Sequence, residues 1–534
     1  MASSPDYIII GGGTAGLVVA SRLSENPSIC VLILEAGPSR TDDPRVQNPA
    51  TYQTLAGSEL DWKLTTVPQT ELKNRILDHP AGKLLGDSSA INGCIYLPPS
   101  PAVLDAWGSM GNAGWDWQSL KPYIQKTYTL HPPRLPSEDT VGSAPTCDTL
   151  PDGLIQVAYE PPANGADKTL VDAWVAAFEQ HGYEHISDFL AEEKTVGTRA
   201  YTAAIDPTSG HRSSADAKHG ALLAGRENVT VMTDATVERI PLEQTPNGSV
   251  RATGVEANVD CQLTTFKASR EVILPAGVFH SPKLLELSGI GDATRLRELG
   301  ITGLPVGLKP HPGTQGITPG IKAFAFVSLD DEAGQQLSTS TITTTPDGAA
   351  EGLRSSTIRS ILQDSNESSA IIGVSIISES LAGLGIGLTF AFSRGSSHIQ
   401  SKYPEASPRY DVGFLTNNLD LEILVRHVQQ AIDFLASSTA LAPFFHECQI
   451  PSDNPTLEAL LRSSLTIPAH HSCSTAAMLP REKGGVVSDE LRVYGTENLR
   501  VVDASVFPLI SNTNPMCLVY AVVKKAVDLI KASE

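Results

Sequence analysis

At 534 residues the chain exceeds what one hydrophobic core accommodates, since single cores stop growing at about 250–300 residues, so at least two domains are expected. With 41% hydrophobic and 18% charged residues it is neither a disordered nor a fibrous chain. A formal net charge of −20 repels nucleic-acid backbones and anionic membranes, so neither is expected as a partner.

The first predicted element is the strand Tyr7–Ile10, followed by a glycine turn, a helix over Leu17–Leu23 and a second apolar strand over Cys30–Leu34. This is the first half of a strand–helix–strand unit. The turn Gly11-Gly12-Gly13-Thr14-Ala15-Gly16 fits G-x-G-x-x-G in the context that gives the motif meaning. Gly11 permits the tight turn, Gly13 lets a pyrophosphate approach the backbone, and Gly16 lets helix and strand pack closely. The amides that open the helix, at Thr14 and Ala15, present N–H groups and partial positive charge to phosphates. Glu35, 24 positions after Gly11 and followed by Ala36, ends the second strand. Its carboxylate suits ribose hydroxyls and repels a 2′-phosphate, which disfavours NADP. The motif by itself leaves FAD and NAD open.

Residues 38–80 read as irregular and 131–165 as a long surface loop region. A helix is expected over Ser214–Gly225, short strands over Val229–Val231 and Val237–Ile240, and a hairpin through Gly254–Val259 and Thr264–Leu274. Residues 301–410, rich in Thr, Ser, Ile and Val, suggest antiparallel sheet. Within them Ala370–Phe392 is apolar but is interrupted by Glu379, so buried strand is expected and not a membrane span. An amphipathic helix follows over Leu419–Leu435, and Leu499–Lys531 reads as strand, turn and helix. The seven cysteines are scattered, odd in number and without a CxxC pair. They are expected to be reduced. With no secretory leader pattern at Met1–Asp6, a cytoplasmic location is expected.

Two longer motifs separate the cofactors. Gly82-Lys83-Leu84-Leu85-Gly86-Asp87-Ser88-Ser89-Ala90-Ile91-Asn92-Gly93 resembles the first signature of the glucose–methanol–choline (GMC) oxidoreductases, and Gly277–Pro282 running into Leu287–Gly291 resembles their second. Asp61-Trp62, Gly114-Trp115, Arg212–Ser214 and Leu499–Ser505 are lesser echoes, and the resemblance spans nearly the whole chain, weakest over 301–410. It implies an α/β (α+β overall) fold. A Rossmann-like FAD-binding domain, discontinuous in sequence (1–150, 200–300 and 464–534), would join a substrate-binding domain (151–199 and 301–463) built on an antiparallel sheet flanked by helices.

By position, the resemblance implies that Gly86, Ser88, Asn92 and Gly93 pass along the flavin and pyrophosphate, and that Glu35 holds the adenosine ribose. Val237 would contact adenine through its backbone, and Asp503, Ala504, Asn514 and Pro515 would approach the flavin. Ile91 stands where some members carry a flavin-linking histidine, so noncovalent FAD is expected.

His471-Ser472-Cys473-Ser474-Thr475-Ala476-Ala477-Met478 is similar to the family's H-x-x-G-T-x-x-M, which favours His471 over His470 as catalytic base. Within Ser511-Asn512-Thr513-Asn514-Pro515, Asn512 is assigned to the second catalytic position. An imidazole titrating near the operating pH suits removal of a hydroxyl proton, and a carboxamide can donate to the same oxygen.

Two departures stand out. Asp87 replaces a usual glycine, placing a carboxylate beside the phosphates unless it turns away or meets a cation such as Lys83. Leu308–Gln315 poorly matches the family's pattern. The expected reaction is oxidation of a small-molecule primary or secondary alcohol by FAD, with dioxygen or a quinone as electron acceptor, by a monomer or homodimer in secondary metabolism. An FAD-containing cyclase or lyase acting on a polyketide-like substrate is the alternative reading, and a flavin-binding protein without catalysis a third.

Overall fold

The computed structural model describes residues 4–131, 152–159, 165–246, 248–301, 323–329, 348–378, 381–444, 450–451, 453–466 and 469–533. Its first sheet is built from five strands, of which all but the edge strand are largely buried, as parallel strands covered by helices must be. They are β1 (Tyr7–Ile10), β2 (Val31–Leu34), β3 (Val229–Met232), β4 (Glu271–Leu274) and β5 (Leu499–Val501). The order is β3-β2-β1-β4-β5 and every pairing is parallel. Val231, on the edge strand β3, is exposed, as an edge position with one neighbour allows.

Helix α1 (Thr14–Leu23) leaves the glycine turn and packs against the C-terminal helix α3 (Met516–Ala532). Helix α2 (Gly277–Leu287) leaves β4. Because the strands run the same way, their carboxyl ends open on one side. Gly11, Glu35, Pro275 and Asp503 all lie there, where ligands bind in open α/β sheets. Gly16 fixes how tightly α1 sits on the sheet: a Cβ there would lie 1.9 Å from the carbonyl oxygen of Gly11. Gly16→Ala should therefore destabilise the protein by about 1–3 kcal/mol through overpacking, read as a lower thermal midpoint in both apo and FAD-loaded protein.

The second sheet has the order Leu381–Leu388, Ala370–Ser378, Ala323–Val327, Gly197–Arg199 and His185–Ile186. Its pairings are antiparallel except the last, which is parallel, so the sheet is mixed at that edge. The apolar run starting at Ala370 is thus a hairpin. One face packs Ala325, Ile372 and Val374 against Trp174, Phe178 and Phe434 of flanking helices. The other packs Phe324, Phe326 and Ile371 on Ile95 and Leu97, which follow the flavin-loop motif. The amphipathic helix spans Asn418–Ser437 and is capped by the Asn417 side chain, which accepts from Leu419 N–H.

Two segments depart from expectation. Ser214–Gly225 is not one α-helix but a π-turn at Asp216–Gly220 followed by a 3₁₀ turn at Ala221–Leu223. The wider turn seats His219 Nδ1 2.9 Å from Ser21 Oγ on α1. Within the expected loop, Ile155–Tyr159 forms a strand parallel to Tyr128–His131, because Ile155 and Val157 are buried in the main core. Residues 132–151, 160–164 and the poorly matching Leu308–Gln315 lie outside the described residues. Cys30, Cys94, Cys261, Cys473 and Cys517 are free thiols. No helix among the described residues is long and apolar enough to cross a membrane.

Candidate active site

A cavity of about 710 Å³ runs from the carboxyl ends of the parallel strands to the loop at His470–Ser472. At its sheet end, Gly11, Gly13, Thr14 and Ala15 line the wall. Gly13 caps α1 without any side-chain hydrogen bond to the first-turn amides, so those N–H groups are left for a ligand. Glu35 also lines this end, and it does more than was expected of it. Oε2 accepts from Gly12 N–H at 2.7 Å and Oε1 from Gly37 N–H at 2.8 Å, so the carboxyl braces the turn and keeps lone pairs for ribose hydroxyls. Burial pushes its pKa up to about 8, against the two backbone donors and with the Asp87 charge adding to the rise. Ala36 and Val237 line the same end. An aromatic pair not anticipated as a unit stands with them: the His280 ring lies 4.2 Å from Trp62, and Lys83 Nζ sits over the other ring at 4.9 Å.

The loop with the first signature crosses the middle. Gly86 is behind the wall: its N–H donates to Gly12 carbonyl at 2.8 Å, and a Cβ there would strike Asp216 Oδ1 at 2.4 Å. Gly16 likewise packs out of the cavity. Ser88, Asn92 and Gly93 face it. Asn92 Oδ1 accepts from Cys94 N–H at 3.0 Å and from Arg212 at 2.9 Å. Arg212, only an echo in the sequence, is buried and also donates to the carbonyls of Val46 and Asn92, which makes it the clamp of this loop. Ile91 lines the wall and carries no nucleophile. Asp87 does not turn away. It lines the cavity at φ 46°, and a Cβ on Gly13 would lie 2.8 Å from its Cβ and 3.0 Å from Oδ2. Its side chain accepts from Ser88 Oγ at 3.0 Å, whereas Lys83 is engaged over Trp62.

At the far end, His471 Nε2 and Asn514 Nδ2 are 3.2 Å apart, and both residues line the cavity with Pro515 and Ala504. Asn512 is not there. It is 3% exposed, and its Oδ1 accepts from Ser100 N–H at 3.0 Å, so its carboxamide is committed to a backbone turn. The two asparagines are two residues apart in an irregular turn, and residue type alone could not separate them. Asp503 borders the cavity, but its carboxylate is spent on structure: it accepts from Gly277 N–H, Ser281 Oγ and Ser505 N–H, tying α2 to the segment after β5.

The imidazole of His471 does not titrate near neutrality as expected. Burial, with His470 beside it, pushes it down to about 3, so it is neutral at physiological pH. His79, which no motif announced, completes the wall. Its Nδ1 lies 3.1 Å from Tyr410 Oη, which in turn is 3.1 Å from Ser472 Oγ.

A glycine turn at the carboxyl ends of a parallel sheet, opening into a cavity that ends on an imidazole–carboxamide pair, defines a dinucleotide-dependent enzyme class. The GMC oxidoreductase models match residues 5–312 and 391–522, and the chain belongs to that family. It is 31% identical to a dehydrogenase of Armillaria gallica, covering 99% of this chain and 93% of that one. It is also 31% identical to a glucose oxidase-like protein of Humicola fuscoatra, covering 99% and 95%. Among solved structures, an FAD-dependent oxidoreductase from Chaetomium thermophilum matches with a TM-score of 0.86 at 25% identity, over 99% of both chains. A fungal aryl-alcohol oxidase matches with a TM-score of 0.83 at 25% identity over the whole of both chains. The cofactor is FAD. The residues present fit it through the bare Gly13, the unclaimed first-turn amides of α1 and the braced Glu35, with Asp87 opposing it.

Proposed function

We propose that the chain oxidises a neutral small-molecule alcohol to a carbonyl compound, with His471 as the base and Asn514 as its partner on the substrate oxygen. The observation that carries this reading is the 3.2 Å pairing of His471 Nε2 with the Asn514 carboxamide at the wall of the cavity. The Asn514 amide donates to the Nε2 lone pair. A substrate hydroxyl inserted between them donates its proton to Nε2 and accepts from the amide. FAD, when bound, supplies the two-electron acceptor for the carbinol C–H bond. As that bond weakens, His471 takes the hydroxyl proton. The imidazolium so formed and the Asn514 amide then face the oxygen on which negative charge develops.

Burial lowers the basicity of His471, and the same burial makes each charge on the reacting oxygen more costly unless it is met by these two groups. His471, His79 and His280 are all driven towards the neutral form, chiefly by burial, which favours an uncharged substrate. Ile91 supports a noncovalent cofactor. The aryl-alcohol oxidase neighbour supports an aromatic alcohol, with dioxygen receiving the electrons.

The test is anaerobic bleaching of the bound flavin against benzylic, furanic and aliphatic alcohols, with product mass measured. Bleaching with loss of two hydrogens from the alcohol is expected. A product of unchanged mass, or one lighter by water, would instead favour the cyclase or lyase reading.

A further inference from the structure

The imidazole next to His471 has no task in the reaction so far described. His470 lines the cavity, its backbone is left-handed at φ 62°, and it makes no hydrogen bond among the described residues. Left-handed geometry at a non-glycine residue is uncommon, and where it occurs at a site wall it aims a side chain that a regular backbone would turn elsewhere.

The environment of the ring decides which nitrogen carries the proton. Nδ1 is sealed from solvent and has no partner, while the ring edge-packs on His79 at a centroid distance of 5.0 Å. A sealed N–H without an acceptor is the more costly orphan, and a sealed lone pair the cheaper one. The ring therefore keeps Nδ1 bare and places its hydrogen on Nε2, the nitrogen open to the cavity. Burial holds the ring neutral against the weaker pull of the Asp61 and Asp78 charges, and Nε2–H is then a fixed donor.

We propose that His470 is a specificity-determining residue whose Nε2–H donates to an oxygen acceptor of the substrate other than the reacting hydroxyl. The substrate class is then an alcohol that carries an ether or carbonyl oxygen within a few bonds of its carbinol carbon, because adjacent residues have α-carbons only about 3.8 Å apart. This inference rests on the reading of His471 and Asn514 as the pair that holds the reacting hydroxyl.

The test compares the FAD-loaded protein with 2-, 3- and 4-methoxybenzyl alcohols and the matching ethylbenzyl alcohols, which have nearly the same shape but no acceptor. Dissociation constants are read from anaerobic perturbation of the flavin spectrum. At least one methoxy isomer should bind about 5–10-fold more tightly than its ethyl counterpart, the worth of one hydrogen bond. His470→Phe should bring that ratio to within about twofold, and His470→Gln, which retains a donor, should preserve most of it. Equal binding of every methoxy–ethyl pair by the unaltered protein, no binding of any of them, or an unchanged ratio in His470→Phe would each overturn the proposal. Failure of the underlying reading is seen separately, as full-rate flavin bleaching in His471→Ala.

Discussion

His471→Ala should slow reduction of the bound flavin by about 10²–10⁴-fold, the usual worth of a positioned proton acceptor, while leaving the protein yellow. His471 lines the far end of the cavity and the glycine turn its sheet end, so FAD retention should not depend on the imidazole. The pH profile sharpens the test. A base must be unprotonated to act. His471 sits near 3, well below an ordinary imidazole, so its neutral form persists across the mildly acidic range. The reduction rate should therefore show no acidic limb between about pH 5 and 7, where an unperturbed histidine would give one.

The two asparagines separate position from structure. Asn514→Ala should reduce the rate with folding intact. Asn512→Ala should lower stability by about 1–3 kcal/mol, because it strands the buried Ser100 N–H. Rapid-mixing reduction rates and thermal midpoints on the two variants check both outcomes. A variant lacking Asn514 that reduced its flavin at the normal rate would remove the carboxamide from the mechanism.

Asp87→Asn should bind FAD up to about 100-fold more tightly than the unaltered chain at pH 8. The carboxylate lies against Gly13, where the pyrophosphate approaches the turn. Two like charges about 5 Å apart at an effective dielectric near 20 oppose one another by about 3 kcal/mol. Among the described residues no cation offsets Asp87, and Lys83 lies over Trp62. Burial, with Asp503 also nearby, already pushes Asp87 up to about 6 in the free protein. A bound phosphate raises it further, so cofactor binding takes up a proton between pH 6 and the higher bound value.

The sign follows from linkage: FAD affinity is greatest at low pH and falls by up to about tenfold per unit as pH rises above 6. Glu35, near 8, adds its own pH dependence, and because the Asp87 charge helps to raise it, the difference between the two proteins reports Asp87 together with its coupling to Glu35. Titration of apoprotein with FAD, followed by flavin fluorescence from pH 5 to 9, gives both curves. Asp87→Gly should bind FAD about as tightly as Asp87→Asn and should also raise the thermal midpoint of apo and loaded protein alike, because it relieves a positive-φ residue costing about 1–3 kcal/mol. Superimposable curves for Asp87→Asn and the unaltered chain would show that the carboxylate does not face the phosphates.

The amino-acid order by itself determined the parallel sheet and the cofactor end of the site. The run Tyr7–Ile10, the glycines that follow and Glu35 lie within one short strand–helix–strand unit, and the roles expected of them arise from local backbone needs: a tight turn, a missing Cβ and a carboxyl at a strand end. The same holds for His471, which lies in a motif of its own. Only the tertiary structure could choose Asn514 over Asn512, because the choice depends on which carboxamide meets Ser100, more than 400 residues away, and which meets the imidazole. His79 and Tyr410, and the clamping role of Arg212, were illegible for the same reason: each acts on a residue remote in the chain. The shift of His471 away from neutrality belongs to tertiary structure too, since desolvation depends on what packs around a group and not on its neighbours in sequence.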